Sequence, residues 1–275
     1  MADLVGAFGV PHTPVFPWMV QQQGPQSETA QLFRKVTASL NAARPDAIVI
    51  FDTDHLNTFF LDALPIFAVG IDRTFKAPND EPRDVPNYVV PSTPDLAAHI
   101  RTAAVAAGFD VDMTQNYSVD HSVTVPLHFL TPDMKVPVIP FFISGHVPPL
   151  PPAQRCYALG QAVARAIEAW PEPLRVVVMG SGSFSLEVGG PRMAASRSDG
   201  VPDPDWAARV IKLLEEQKVE QLIAESTQHR MLKAGNVGGE LLNWIAMLGA
   251  IGNRKPTYVA PQMQNGHAYG VWRWN

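Results

Sequence analysis

Two histidines and one glutamate carry the first chemical signal in this chain of 275 residues. His55 stands in Phe51-Asp52-Thr53-Asp54-His55-Leu56-Asn57-Thr58-Phe59-Phe60, directly after the apolar run Ala47-Ile48-Val49-Ile50. A buried strand that ends abruptly in carboxylate, imidazole and amide groups marks the place where an open α/β sheet binds ligands. A neutral imidazole there suits a metal ion; a loop or helix-capping histidine held by Asp54 suits the pattern equally. His12 repeats the context, because Gly9-Val10-Pro11-His12-Thr13-Pro14 is a proline-stiffened turn just beyond a strand end. Two such ends can converge on one ion, although a lone turn histidine is more often surface decoration. Glu240 follows Gly238-Gly239 and opens the apolar run Leu241-Leu242-Asn243-Trp244-Ile245. A first-turn glutamate commonly does no more than complement the helix dipole. One that points inward needs a partner, and a cation is one. Two histidines and a carboxylate compose the facial triad of non-haem Fe(II) sites, which keeps positions open for substrate and O2. Spacing alone leaves these readings side by side.

Strands and helices that alternate along the chain must position these groups. Leu4 to Val10, Ala47 to Phe51, Pro65 to Ile71, Phe109 to Met113, Val136 to Ile143 and Arg175 to Met179 read as strands, with closing strands over Pro256 to Ala260 and Ala268 to Trp274. Helical spacing marks Ser27 to Ala42, Thr93 to Ala107, Gln154 to Trp170, Asp205 to Gln217, Val219 to Ser226 and Gly238 to Ile251. The prolines of Val136 to Ile143 suggest an edge or an irregularity. Asp120 to Leu127 begins a short apolar piece, and the stretch from Ile71 to Pro91 reads as a polar, proline-rich loop. The alternation implies an α/β fold, one domain over residues 1–275, with a central mixed sheet flanked by helices.

Composition removes several classes of function. The net charge of −5 and the lack of any Lys/Arg cluster argue against a nucleic-acid surface. The single cysteine, Cys156, excludes an internal disulfide framework and a cysteine metal cage, and fits a reducing cytoplasm. No basic leader precedes an apolar core at the N-terminus, and no apolar run approaches the ~20 residues of a membrane span. The expectation is a cytoplasmic protein with no membrane or nucleic-acid partner.

Seven segments then occur in order across nearly the whole chain. They are Pro11-His12-Thr13-Pro14; Asp54-His55 with Asn57 and Phe59-Phe60; Asp120-His121-Ser122-Val123; Val125-Pro126-Leu127; Gly180-Ser181-Gly182; Gly239-Glu240 with Asn243-Trp244; and Gly266-His267-Ala268-Tyr269. In combination they resemble the class III extradiol ring-cleavage dioxygenases, the superfamily of the protocatechuate 4,5-dioxygenase catalytic subunit and gallate dioxygenase. The resemblance implies His12, His55 and Glu240 as Fe(II) ligands and His121 as a catalytic residue facing the substrate and oxygen site. It implies O2-dependent cleavage of a carbon–carbon bond beside the diol of a catechol-like or related phenolic ring. Asn265 and His267 fall in the segment that the family places on the substrate side. Members are commonly oligomers and some pair with a small helical subunit, so a homo-oligomer is expected, with or without such a partner.

One position departs from the pattern. Where the family sets its acid–base histidine behind a serine, this chain has Ser185-Leu186, and no histidine lies between His146 and His229. Leu186 can neither give nor take a proton. Either His121 or Glu187 manages protons, or Leu186 packs against a different aromatic substrate. A weakly active or non-catalytic subunit is one alternative, and a zinc-dependent hydrolase with the same triad is another. Glu187 otherwise reads as a solvated loop carboxylate. His99 reads as a surface residue, His128 and His146 as loop or core-edge groups beside prolines. Phe16, Trp18, Phe59 and Trp244 read as core packing before pocket lining.

Overall fold

Period-2 burial on runs rich in valine, isoleucine and phenylalanine builds the sheet. In β1 (Asp3–Val10), Leu4 and Ala7 enter one apolar cluster while Val5, Phe8 and Val10 enter a second on the opposite face. Two helices, α1 (Phe16–Gln23) and α2 (Glu28–Ala43), lead to β2 (Ala47–Asp52). There Ala47, Val49 and Phe51 face the first cluster, and Ile48 and Ile50 face the second. A strand covered on both sides needs both faces apolar, which is why these runs are nearly continuous rather than alternating with polar residues.

The middle of the chain supplies β3 (Phe67–Gly70), the hairpin β4 (Thr74–Ala77) and β5 (Tyr88–Pro91), α3 (Pro94–Ala106), β6 (Val111–Thr114), α4 (His121–Leu130), β7 (Val138–Ile143) and α5 (Ala153–Ala169). The remainder supplies β8 (Arg175–Ser181), β9 (Glu187–Val188), β10 (Asp199–Gly200), α6 (Pro204–Glu215), α7 (Val219–Glu225), α8 (Gln228–Lys233), α9 (Leu241–Ile251), β11 (Tyr258–Gln262) and β12 (His267–Arg273). The structure is a computed structural model that describes residues 1–189 and 199–274.

Among the described residues, eight strands form one mixed sheet in the order β11-β12-β1-β8-β2-β7-β3-β6. The central neighbours β1, β8, β2 and β7 run parallel, while β12 and β3 pair antiparallel on either side. Helices α3, α5, α6 and α9 cover one face, and α1, α2 and α4 cover the other. The expected α/β domain with a mixed sheet flanked by helices is therefore present. No described helix is long and apolar enough to cross a membrane.

Two expectations need correction, the edge position of the proline-bearing strand and the loop before Pro91, and two helices add to the reading. β7 is an interior strand, paired to β2 at Ile50–Pro140 and to β3 at Phe141 to Ile143. The ladder to β3 covers only Phe141 to Ile143, so the absent amide of Pro140 falls beyond its end. The apolar piece after Asp120 is a helix in spite of Pro126, because Asp120 caps it by accepting the Ser122 amide at 2.9 Å. The supposed loop before Pro91 contains the β4–β5 hairpin, and α1 starts at the Phe16-Pro17 pair, where proline is tolerated in a first turn.

Candidate metal centre

Because β1, β8, β2 and β7 are parallel neighbours, the segments that follow them leave on the same edge of the sheet. The turn after β1 carries His12, the loop after β2 carries His55, β8 ends on Ser181, and the turn after β7 carries His146. Glu240 arrives from the 3-10 turn Gly238–Glu240 that leads into α9. Its Oε1 lies 3.1 Å from His12 Nε2, 3.3 Å from His55 Nε2 and 3.2 Å from His146 Nε2. Its Oε2 accepts the Ser183 amide at 2.8 Å. All of Glu240 is buried.

Close backbone approach makes this convergence possible. A β-carbon on Gly182, at φ +152°, would lie 2.5 Å from Glu240 Cβ, and one on Gly9 would lie 2.2 Å from the Trp244 ring. Asn243 ties two strand ends together, since its Nδ2 donates to Ser181 O at 2.7 Å and to Thr53 Oγ1 at 3.1 Å. Trp244 Nε1 donates to Gly182 O at 3.1 Å. The Asn243-Trp244 pair of the sequence pattern thus holds the strand ends in place, and Trp244 itself lies wholly in the core.

The protons on His12 and His55 follow from their outer partners. Pro126 has no N–H, so the Ser122 carbonyl one turn earlier in α4 has no helical donor. Ser181 Oγ donates to that carbonyl at 2.7 Å, which uses its one hydrogen. The same oxygen lies 2.8 Å from His12 Nδ1 and must accept there, so Nδ1 carries the hydrogen and Nε2 keeps a lone pair. Asp120 acts likewise on His55, with Oδ2 at 2.9 Å from Nδ1 and 2.8 Å from the backbone amide. Two imidazoles held with Nδ1 protonated turn Nε2 toward one carboxylate oxygen. Such donor atoms fit a divalent cation.

The loop around His55 is organised by Asp54 and Asp120 separately. Asp54 accepts the amides of Asn57, Thr58 and Phe59 at 3.0–3.1 Å, so it caps the turn and Asp120, not Asp54, holds the imidazole. Leu56 takes a left-handed conformation at φ +60°, which costs about 1–2 kcal/mol and aims those amides. Burial first, then the charges of Asp120 and Asp54, push the Asp52 carboxyl well up, and its Oδ2 lies 3.1 Å from Ser122 Oγ.

His121 heads α4 with its ring centroid 4.0 Å from that of His55, and its Nδ1 makes a short contact to Asp80 Oδ2. Burial and the charge of His55 lower its pKa, which favours the neutral imidazole. Burial, then His55, also lowers that of His146. Burial would raise Glu240, but the neighbouring histidines hold it well below the usual carboxylate range. On His55, burial opposes protonation, yet the charge and hydrogen bond of Asp120, joined by Glu240, outweigh it and raise its pKa to about 10.

That proton lies where a cation shared by His55 and Glu240 would sit. Because the group is protonated below its raised pKa, an incoming cation must expel one proton from His55 at neutral pH. Divalent-ion affinity is expected to rise about tenfold per pH unit between about pH 6 and 8. Calorimetric titration in buffers of differing ionisation enthalpy counts the released proton, and a count of zero refutes this assignment.

The remaining predicted positions separate. A cavity of about 580 Å³ is lined by Phe16, Trp18, Met19, Leu186, Gln264 and Asn265 among others. None of the four convergent side chains lines it; Thr13, the chain neighbour of His12, is on its wall. Leu186 and Asn265 therefore sit on a cavity wall. His267 does not, being wholly buried with Nε2 2.8 Å from Gln262 Oε1, and burial together with His12 lowers its pKa to about 3. Glu187 is buried rather than solvated, and accepts the Asn236 amide at 2.8 Å. Phe16 and Trp18 are pocket residues, whereas Phe59 packs on Phe142 at 4.6 Å. His146 lies in the loop after β7, as expected, but its Nε2 meets Glu240; its signal in the sequence was the one that marked His12 and His55, a histidine just past a strand end.

The family model for the catalytic LigB subunit of aromatic ring-opening dioxygenase matches residues 6–271. The 2,3-dihydroxyphenylpropionate/2,3-dihydroxicinnamic acid 1,2-dioxygenase of Klebsiella pneumoniae strain 342 is 27% identical over 301 residues, covering 95% of this chain and 89% of its own. The enzyme of the same name from Paraburkholderia xenovorans LB400 is 27% identical over 278 residues, covering 87% and 86%. A crystal structure of an uncharacterized Escherichia coli K12 protein superposes with a TM-score of 0.61 at 16% identity, covering 98% of this chain and all of that one. At that identity the likeness concerns the fold alone.

Proposed function

This chain belongs to the family of the catalytic LigB subunit of aromatic ring-opening dioxygenases, an extradiol type, and we propose that it works with Fe(II) on a side-chain-bearing catechol. His12, His55 and Glu240 are the proposed ligands. The observation that carries this reading is the meeting of imidazole Nε2 atoms on a single buried carboxylate oxygen, Glu240 Oε1. When bound, Fe(II) supplies adjacent positions for a diol and O2 and a route for electron density between them.

The chain's own residues supply orientation and proton handling. Ser181 and Asp120 keep the His12 and His55 Nδ1 hydrogens fixed, so no tautomer change is needed when the site fills. His121, anchored through Nδ1 by Asp80, is the proposed group that takes a proton from the diol at Nε2 and later returns one. The cavity takes the rest of the substrate: Phe16, Trp18, Met19 and Leu186 meet apolar surface, and the amides of Gln264 and Asn265 meet a polar end of the side chain. His267 supports this wall from behind through Phe16, whose ring centroid lies 5.4 Å away. The names of the relatives, which act on catechols with a short acidic side chain, support that substrate class. A cytoplasmic homo-oligomer belongs to the same reading.

Oxygen uptake by anaerobically iron-loaded protein, screened over catechol and 3-substituted catechols, tests the proposal. Uptake matched one-to-one with ring-opened product is expected, with carboxyalkyl-substituted catechols ahead of catechol. Oxygen-independent turnover with zinc instead would establish a hydrolase, and no turnover with any diol would establish a non-catalytic subunit.

A further inference from the structure

We propose that Arg83, held over Trp18 of the cavity wall, is the counter-charge for a carboxylate on the substrate's side chain; this rests on the reading that the chain cleaves catechols bearing such a side chain. Among the described residues, the lining of the cavity, which includes Thr13, Trp18, Leu186, Gln264 and Asn265, holds no charged group. A carboxylate drawn out of water with no charged or hydrogen-bonding partner is strongly disfavoured, so a cation must stand close by. The Arg83 guanidinium carbon lies 4.9 Å from the centroid of the Trp18 ring. A guanidinium over an aromatic face is attracted to the ring, and its N–H fork lies in its own plane, open to a carboxylate.

The backbone explains why the cation is there. Arg83 belongs to the segment between β4 and β5, and the start of that segment is pinned beside the metal centre. Asn79 donates its amide to Val119 O at 3.0 Å and its Nδ2 to Thr58 Oγ1 at 2.9 Å. Asp80 contacts His121 Nδ1, and the His121 ring centroid lies 5.5 Å from that of His12. Three residues of chain reach at most about 11 Å, so Arg83 cannot stray far from that anchor. Pro82 is buried and accepts the Val85 amide at 3.2 Å, which closes a turn around Arg83. One short strap therefore meets the proposed proton-handling histidine through Asp80 and a cavity wall through Arg83.

Packing alone does not account for this guanidinium. The other arginines that lie over aromatic rings are each tied to an oxygen: Arg155 to Asp110 at 3.4 Å, Arg230 to Asp203 at 2.7 Å and Arg254 to Ile251 O at 3.2 Å. Among the described residues Arg83 makes no hydrogen bond or ion pair, although Glu81 and Asp84 flank it in sequence. Its donors are left for a ligand. Gln264 gives its Nε2 to the Glu28 carboxylate, so of the two lining amides Asn265 is the one free to donate to the same anion.

Two measurements test the inference. Calorimetric binding of 3-phenylpropionate and its uncharged amide to metal-free protein needs no turnover, and oxygen uptake with 3-(2-carboxyethyl)catechol and 3-propylcatechol reads the iron-loaded enzyme. Arg83→Ala, Arg83→Met with an apolar stem, and Arg83→Lys with charge but no planar fork are compared with wild type, each checked for native circular dichroism. The wild type is expected to prefer the acid in both measurements. That preference should fall about tenfold in Arg83→Ala and Arg83→Met, mostly through KM, and less in Arg83→Lys. Added salt should shrink it in the wild type, because the guanidinium is exposed. An acid preference within twofold of wild type in folded Arg83→Ala overturns the assignment, as does a wild type with no acid preference. If the wild type opens no catechol, yet Arg83→Ala loses the preference for 3-phenylpropionate, the anion subsite stands and the ring-cleavage reading falls.

Discussion

Glu240→Ala is expected to leave protein that retains no iron after gel filtration and cleaves catechols at least about 10³-fold more slowly. Outer partners of metal ligands are typically worth about 10–100-fold, and Glu240 is the group on which His12, His55 and His146 all converge. Its loss removes the one carboxylate that all three rings share and leaves the Ser183 amide without its acceptor. Neither neighbouring carboxylate can substitute. Asp120 is engaged by the His55 side chain and amide and by Ser122, and Asp80 is engaged by His121. Glu240→Gln separates charge from shape, because it can keep the Ser183 contact through its amide oxygen while giving the ion no anionic ligand. Elemental analysis and oxygen uptake on both variants, with circular dichroism to confirm folding, decide the matter. Full iron content and activity in Glu240→Gln would remove Glu240 from the ligand set. His12→Ala and His55→Ala are expected to follow the same pattern.

Much of this centre was legible because its supporting logic is local. A strand run such as Ala47 to Phe51 announces burial, and polar residues just past it announce a functional edge. Glu240 was legible because a carboxylate opening a largely apolar helix has nowhere solvated to point. His146 escaped because its three neighbours in sequence, Gly145, Val147 and Pro148, look like loop chemistry. The stretch before it, Val136 to Ile143, contains two prolines, which disguised an interior position. Only the parallel order β1-β8-β2-β7 puts its end beside those of β1 and β2, and that order is a long-range property. The hydroxyl relay was hidden for the same reason. Pro126 reads locally as a helix breaker, yet in the fold it frees the Ser122 carbonyl for Ser181, and through Ser181 sets the His12 tautomer. The link between α4 and β8 spans 59 residues and leaves no periodic trace in either.

Leu186→His is expected to raise turnover of simple catechols by up to about 10²-fold, the lower part of the range for a positioned acid–base group. The side chain is nearly buried, at 8% exposure, and lines the cavity beside Asn265. Imidazole and isobutyl groups are similar in size, and the backbone there is already fixed: Val237 donates to Leu186 O at 3.3 Å, and Gly235 leaves no room for the segment to shift. A histidine in this place gains a proton acceptor without rebuilding the wall. The buried ring brings a polar group with no designed partner, which costs about 1–3 kcal/mol, so a melting temperature several degrees lower is expected alongside the gain. The pH profile of turnover separates acid–base help from packing. A new limb near the ordinary histidine range, at about pH 6.5, belongs to proton transfer. A change in KM with kcat and pH profile untouched belongs to shape. Should the variant fold, keep its iron and show neither a faster turnover nor a new limb, then proton transfer at this wall does not limit the reaction. Leu186 would in that event be a packing residue for the substrate's apolar face, and His121 would be left as the proton-handling group of the site.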